Sequence, residues 1–327
     1  MNLAWFDKHK NHLVMALAVA FFLILAFAPS YARTYTIILL SSIIMYVILS
    51  LSWSMFSGPT GYTSLATAAF FGVGIYNAAL LGDYLPIGLL VLTGGLASFL
   101  LAYGVGTITL RLRGVYFAIF TFGLVELIKH VVSWIEVNII GTRGQFVTRV
   151  DNVTVFYVLL STLAILLITM YLIKRSKYGL ALSSIGSSED AAVHIGINVV
   201  RVKVMTFAIS ALFAGVAGTA MATRWGFIDP YIAFDAFYSF LPTLMAIFGG
   251  MGSLLGPILG ASIFTYLQEI LVTRFPYYYM LIFGTIMVIT IIYLPNGIIG
   301  LFQKLFAYII KKLRSGSPGG ENADTKS

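Results

Sequence analysis

Long apolar segments separated by short polar ones recur from one end of this chain to the other. Each contains about 20 residues with few charges, and a helix of that length crosses the hydrocarbon core of a bilayer. Alternating segments of roughly 10 residues, typical of a membrane β-barrel, do not occur in the sequence. The pattern therefore predicts an all-α polytopic membrane protein with about ten transmembrane helices. The predicted spans are 12–28, 34–56, 62–82, 86–108, 114–135, 153–173, 204–223, 236–250, 254–273 and 278–295.

The positions of the charged residues predict the orientation of these spans. Charged residues are only 10% of the 327 residues, and cytoplasmic segments of membrane proteins carry an excess of Lys and Arg. With the N-terminus inside, 14 of the 20 Lys and Arg residues fall in cytoplasmic segments and 5 fall outside. We therefore expect both termini in the cytoplasm. The same bias accounts for the net charge of +8 without a nucleic-acid partner.

The longest internal cytoplasmic segment is predicted at 174–203, and it contains a short predicted helix at 187–196. Gly186 interrupts the preceding pattern, and Ser187 is a suitable N-cap. Asp190, three residues after that serine, approximates a capping box. The helix is predicted to stop at Gly196.

This helix has only two to three turns, and isolated helices of that length are marginal in water. Glu189 lies in its first turn, where the helix dipole favours negative charge, and three apolar residues, Ala191, Ala192 and Ile195, form a narrow stripe. It can rest on its own membrane domain, on lipid headgroups or in the groove of a partner protein. Small apolar residues favour the partner groove, because a lipid-surface helix favours basic and bulky apolar residues. The candidate docking residues are Ser187, Ser188, Glu189, Asp190, Ala191, Ala192, Ile195 and Gly196.

A second candidate site lies within the predicted span 114–135. Glu126 is near its middle, where an ionisable residue is costly to insert and is a functional candidate. Lys129 and His130 follow at i+3 and i+4, so all three share one helix face. We favour a self-neutralising cluster that holds a helix interface. A lining of the transport path and proton coupling are the alternatives.

The sequence also argues against catalysis in this chain. It has no Cys, no G-x-x-x-x-G-K-[ST] nucleotide-binding motif, no HExxH and only 4 His. We therefore expect no enzyme activity, metal or cofactor here. An ion-coupled secondary transporter is one function that the sequence leaves open.

Several stretches resemble the M-type permease subunit of the ABC importer family for branched-chain amino acids, of which urea-importer permeases are a close branch. The cytoplasmic segment "YGLALSSIGSSEDAAVHIGINVVRVKVMTFAISALFAGVAGTAM" is similar to the family's coupling loop and the helix after it. The stretches "GPTGYTSLATAAFFGVGIYNAALL", "RLRGVYFAIFTFGLVELIKHV", "FGGMGSLLGPILGA" and "YLPNGIIGL" resemble further family segments in the same order. Two departures, Ala66-Thr67 and the loop "GTRGQF", leave the substrate open between branched-chain amino acids and urea or another small solute.

The resemblance implies a type II ABC-importer permease fold in a bacterial or archaeal cytoplasmic membrane. Its expected partners are an H-type permease subunit, two ATPase subunits that hold ATP and Mg²⁺, an external substrate-binding protein and membrane lipid. Transport would proceed by alternating access. We expect one transmembrane domain at 1–313, with the coupling loop at about 174–203 and a disordered polar tail at 314–327.

Overall fold

The fold is taken from a computed structural model, which describes residues 22–251, 253–293, 297–298 and 300. The helices are α1 (Ala28–Tyr31), α2 (Thr34–Thr60), α3 (Thr67–Leu81), α4 (Ile87–Thr109), α5 (Val115–Ile135), α6 (Asn152–Arg175), α7 (Lys177–Ser187), α8 (Glu189–His194), α9 (Val199–Ala222), α10 (Pro230–Ala233), α11 (Phe237–Gly249), α12 (Leu255–Arg274) and α13 (Tyr279–Tyr293). A π-helical turn, Glu136–Ile140, continues α5. Two strands, β1 (Gln145–Phe146) and β2 (Phe227–Ile228), form an antiparallel ribbon.

The predicted all-α, multi-span class is confirmed. From residue 34 onward, each of the nine predicted spans contains a helix. By length and apolar composition, seven helical segments of the described residues can cross a membrane, and α3 and residues 279–289 of α13 are shorter apolar helices. Most of the first predicted span, 12–28, and the whole predicted tail, 314–327, lie outside the described residues.

One span begins later than predicted. The sequence predicts a span over 62–82, but residues 61–66 form an irregular connection, here called the α2–α3 corner, before α3 starts. Gly61, with φ of +71°, ends α2 in the left-handed region that glycine favours. Side chains from the helices then hold the corner. Trp53 donates its indole N–H to the Ser64 carbonyl at 2.7 Å.

The most buried of the long helices is α9, which packs against α2, α3 and α4. Its small residues let the neighbouring backbones come close. A Cβ atom at Gly218 would overlap the Phe71 carbonyl oxygen of α3, and one at Gly215 would overlap the Ser98 side chain of α4. The Thr219 hydroxyl also donates to the Gly74 carbonyl at 2.9 Å. Close backbone approach of this kind is how transmembrane helices associate without bulky side chains.

The two ends of the helix bundle differ in chemistry. At one end, the basic end, α7 and α8 lie beside the end of α2, the connection from α4 to α5 and the start of α9. At the other, the ribbon end, the β1–β2 ribbon follows the π-helical turn, and the Thr148 hydroxyl donates to Asp83. Four of the basic residues predicted to be cytoplasmic flank these basic-end helices: Arg113, Lys174, Arg175 and Lys203.

Candidate functional site

The short helix predicted in the segment 174–203 is present as α8. Its N-cap is Ser188, whose hydroxyl oxygen accepts the Ala191 backbone N–H at 3.3 Å. The prediction that Ser187 is the cap is wrong, because that residue is the last one of α7. Gly196, with φ of +85°, donates its N–H to the Val193 carbonyl at 3.0 Å, so the helix stops there as predicted.

Two further details of this segment differ from the sequence prediction. Gly186 does not interrupt the chain but lies in the last turn of α7, where a Cβ atom would overlap the Pro59 carbonyl oxygen. A glycine is needed there because the backbones of α7 and α2 touch. Asp190 does not close a capping box either, because its carboxylate lies 3.2 Å from the guanidinium of Arg113. These corrections come from tertiary contacts that local patterns do not encode.

One face of α8 is covered by its own chain. Ala192 is 1% exposed and packs in a small apolar cluster formed by residues of α7, α8 and α9. The expectation that this alanine faces a partner groove is therefore wrong, since α8 lies between two helices that cover that face. The cluster consists of Leu182, Ile185, Ala192, Val199 and Val202.

The other face of α8 is open. Ala191 is exposed, Val193 is 55% exposed and Ile195 is 71% exposed. At about 100° per residue, Ala191 and Ile195 lie on one side of the buried Ala192 and Val193 lies on the other side. These three residues are called the α8 patch below. The helix is thus supported on one side by the membrane domain, and exposed apolar side chains flank that supported side.

A buried lysine lies directly behind α8. Lys203, in the second turn of α9, is 1% exposed, and its ammonium group has three acceptors. They are the Glu189 carboxylate at 2.9 Å, the Tyr62 hydroxyl at 3.2 Å and the Leu110 carbonyl at 3.2 Å. A fully buried lysine requires such pairing, because an unpaired charge in a low-dielectric interior is strongly unfavourable.

Glu189 is the counter-ion of this lysine. Its second carboxylate oxygen accepts the Tyr62 hydroxyl at 2.6 Å, and Arg113 lies 4.0 Å from it. Burial raises the pKa of Glu189, but the hydrogen bonds from Tyr62 and Lys203 and the charges of Lys203 and Arg113 outweigh burial and bring the pKa below its usual value. The carboxylate is therefore ionised at neutral pH.

The predicted cluster on α5 is formed as the spacing requires. The Lys129 ammonium lies 2.6 Å from the Glu126 carboxylate, and His130 lies 3.9 Å from the same oxygen. The glutamate and the lysine are both partly buried, whereas the histidine is exposed. The contact supports mutual neutralisation, and it leaves the functional role of the cluster a proposal.

A buried carboxylate at the ribbon end was not anticipated from the sequence. Glu136 is 1% exposed and begins the π-helical turn. It accepts the Tyr76 hydroxyl at 3.0 Å and the Gly144 backbone N–H at 2.9 Å. These contacts tie the loop before β1 to the ends of α3 and α5.

Four members of the polar clusters were not predicted from the sequence: Lys203, Tyr62, Arg113 and Glu136. Lys203 and Arg113 counted only as flanking positive charges, and Glu136 lies just past the predicted end of its span. One signal was available, because a lysine four residues inside a largely apolar helix needs a partner if it is buried. The sequence does not identify that partner.

Helices of this length around a central small-residue helix, with a short helix at one end of the bundle, are typical of a multi-span helical membrane protein. Within the described residues, no group of three or more His, Cys, Asp or Glu side chains is placed to hold a metal ion. The family model described as the branched-chain amino acid transport system / permease component matches residues 35–291. The chain belongs to this family, and the resemblance found in its sequence is confirmed.

Individual relatives agree with the family assignment. The chain is 31% identical to the high-affinity branched-chain amino acid transport system permease protein LivM of Salmonella typhimurium, across 85% of this chain and 72% of that protein. It is 29% identical to LivM of Escherichia coli K12 over the same shares. LivH of Salmonella typhimurium is 28% identical across 50% of this chain and 52% of its own length. No solved structure matches the chain. The chain is an M-type permease subunit of an ABC importer.

Proposed function

We propose that this permease carries branched-chain amino acids, with an H-type permease subunit as its partner and two ATPase subunits that bind at α8. The named substrate of the LivM and LivH relatives supports the choice of amino acid. ATP hydrolysis belongs to the partner subunits, because this chain has no phosphate-binding loop of its own. ATP drives transport only if it binds the outward-open and inward-open states with different affinity.

The observation that carries the ATPase contact is the α8 patch. Exposed apolar side chains on a short helix are suited to a hydrophobic groove, and the apolar cluster behind Ala192 keeps the helix in place while one face stays free. The docking residues in this proposal are Ala191, Val193 and Ile195, with Ser188 and Gly196 setting the two ends of the helix.

The docking proposal is tested by placing a charge in the patch. Ile195→Asp and Val193→Asp each place a carboxylate in an apolar groove and remove one apolar contact. Loss of that contact costs about 1.5–3 kcal/mol and weakens binding roughly tenfold or more. Pull-down of the ATPase subunits with the assembled permease measures association, and uptake of labelled leucine measures transport. Val200→Asp, the same change at an exposed valine outside the patch, is the control. Full association in both patch variants would contradict docking at α8.

The substrate is tested by competition in the same uptake assay. With the cognate binding protein present, we expect unlabelled leucine, isoleucine and valine to compete and urea not to compete. Uptake that urea inhibits and leucine does not would assign the chain to the urea branch instead.

The proposed orientation places α8 in the cytoplasm and the ribbon end outside, where the substrate-binding protein would bind. The charge bias of the connecting segments supports this orientation. Because the chain has no Cys, single cysteines at Ser188 and Thr142 are clean probes, and both positions are exposed. An impermeant thiol reagent added to intact cells should label Thr142→Cys and leave Ser188→Cys unlabelled. The reverse labelling would overturn the orientation.

For Glu126, Lys129 and His130 we propose a structural role. A carboxylate and an ammonium 2.6 Å apart on one helix face remove most of the penalty of carrying either charge into the membrane. Glu126→Gln leaves Lys129 without a counter-ion and should lower the yield of folded protein while uptake per folded molecule is kept. Normal yield with no uptake would favour a path-lining role.

A further inference from the structure

The polar cluster behind α8 joins the docking helix to three separate parts of the membrane domain. Lys203 belongs to α9, Tyr62 to the α2–α3 corner, and the Leu110 carbonyl is the C-cap of α4. Glu189 is the first residue of α8 and closes the cluster through both of its carboxylate oxygens. We propose that Lys203 and Glu189 form the joint through which movement of α8 is passed to these membrane helices. The inference rests on the proposed docking of the ATPase subunits at α8.

Three hydrogen bonds fix the position of the Lys203 ammonium group in this joint. An ammonium group has three N–H donors, and each donor of Lys203 has one acceptor on a different element. The same ammonium lies 4.3 Å from the centre of the Tyr62 ring, so the lysine is also held from the side. The Leu110 carbonyl is one of the unpaired carbonyls at the end of a helix, where a cation is favoured.

The choice of a charged pair is informative, because a buried salt bridge is a weak source of stability. Apolar residues of similar volume often serve folding equally well or better. Contacts between apolar residues have no required direction, however, so an apolar pair would allow α8 to shift relative to α9. An ion pair with every hydrogen bond in place permits few arrangements, so here it serves position rather than stability.

The surroundings prevent α8 from moving independently of the pair. Gly186 brings the end of α7 against the Pro59 carbonyl, and Ala192 is buried against α7 and α9. If α8 moved away alone, Lys203 would be left as an unpaired charge in the interior. Moving together with α9, the corner and the end of α4 keeps the pair intact, so in this proposal these elements move as one unit.

The outer side of the cluster adds a second contact. Arg113, between α4 and α5, pairs with Asp190 at 3.2 Å and lies 4.0 Å from Glu189. The Arg113 and Asp190 side chains are largely exposed, so water and salt screen this pair. The buried pair of Lys203 and Glu189 is therefore the main connection, and the exposed pair of Arg113 and Asp190 contributes less to holding α8.

The test uses the complete importer in liposomes, with uptake and ATP hydrolysis measured on the same sample. In Lys203→Met we expect uptake per ATP hydrolysed to fall about tenfold while the ATPase subunits remain bound, since the α8 patch is unchanged. Arg201→Met removes an exposed cation two residues away on α9 and should leave the ratio unchanged. A purely structural role would lower the melting temperature without changing the ratio in the folded complex.

The double variant Glu189→Gln with Lys203→Met guards against misfolding, because it removes both charges and leaves none unpaired. We expect it to fold, to retain the ATPase subunits and to stay uncoupled. If the folded double variant has the wild-type ratio of uptake to ATP hydrolysis, the proposed role of Lys203 and Glu189 is wrong. A wrong docking proposal is detected separately, because Ile195→Asp would then keep full association with the ATPase subunits.

Discussion

The two ends of the bundle each bury an ionisable side chain, but they hold it in different ways. Lys203 at the basic end and Glu136 at the ribbon end are both 1% exposed. The lysine has an ionised partner, Glu189, whereas the glutamate is held by two neutral donors, Tyr76 and Gly144. Among the residues that the structure describes, no basic side chain lies within 4 Å of the Glu136 carboxylate.

The difference follows from what each site joins. Glu136 fixes a loop to two helix ends within the ribbon end, and a neutral hydrogen-bonding group of the same shape satisfies nearly the same contacts. Lys203 connects a helix that is exposed on one face to three parts of the membrane domain, and in the joint proposed above its partner stays paired when that helix moves. The site that joins the docking helix to the membrane domain uses a charge pair, and the site within the ribbon end uses neutral donors.

The largest expected effect comes from breaking the charge pair on its acidic side. Glu189→Leu leaves Lys203 buried without a counter-ion, and removing one partner of a buried pair typically costs about 3–5 kcal/mol. Unfolding in mixed detergent micelles measures the change in free energy. Asp190→Leu, at the neighbouring acid in an exposed pair, should cost only about 0–1 kcal/mol. Equal losses in the two variants would show that burial of the lysine does not matter.

A smaller effect of opposite sign is expected when the second charge is also removed. Adding Lys203→Met to Glu189→Leu replaces the ion pair with apolar residues and should recover about 2 kcal/mol of the lost stability. The same unfolding assay compares the single and double variants. If the double variant is less stable than Glu189→Leu, the lysine has another partner that matters more than the glutamate.

The sequence predicted the parts of this molecule that depend on local pattern. Apolar periodicity placed nine helices, and Gly196 marked the end of α8 because a positive φ needs a glycine. The contacts of Lys203 were out of reach, since its partner Tyr62 is 141 residues away in the chain. The orientation of Ala192 was also missed, because periodicity identifies an apolar stripe without showing which neighbour covers it. Glu136 was overlooked because it lies just past the predicted end of its span and because one of its donors, Tyr76, is 60 residues away in the chain.

The ribbon end should respond much less to loss of charge. Glu136→Gln keeps one carbonyl oxygen for hydrogen bonding and should reduce stability by about 1 kcal/mol, the usual net value of one hydrogen bond. Tyr76→Phe, which removes one of the two donors, should have a similar effect. Measured in the same micelles, a loss for Glu136→Gln as large as that for Glu189→Leu would show that the two ends do not differ in the way described here.

The last contrast is the pH dependence of the basic end. The pKa of Glu189 lies below its ordinary value of about 4.3, so its contribution to stability is complete above that value and is lost as the pH falls through the lowered pKa. At neutral pH, wild type should therefore exceed Glu189→Gln in stability, and the gap should close only in strongly acidic solution. The measurement is the difference in unfolding free energy between the two proteins from pH 7 downward. A gap that already closes well above pH 4.3 would mean that Lys203, Tyr62 and Arg113 do not stabilise the carboxylate against its burial, and the contrast with Glu136 would then lose its electrostatic basis.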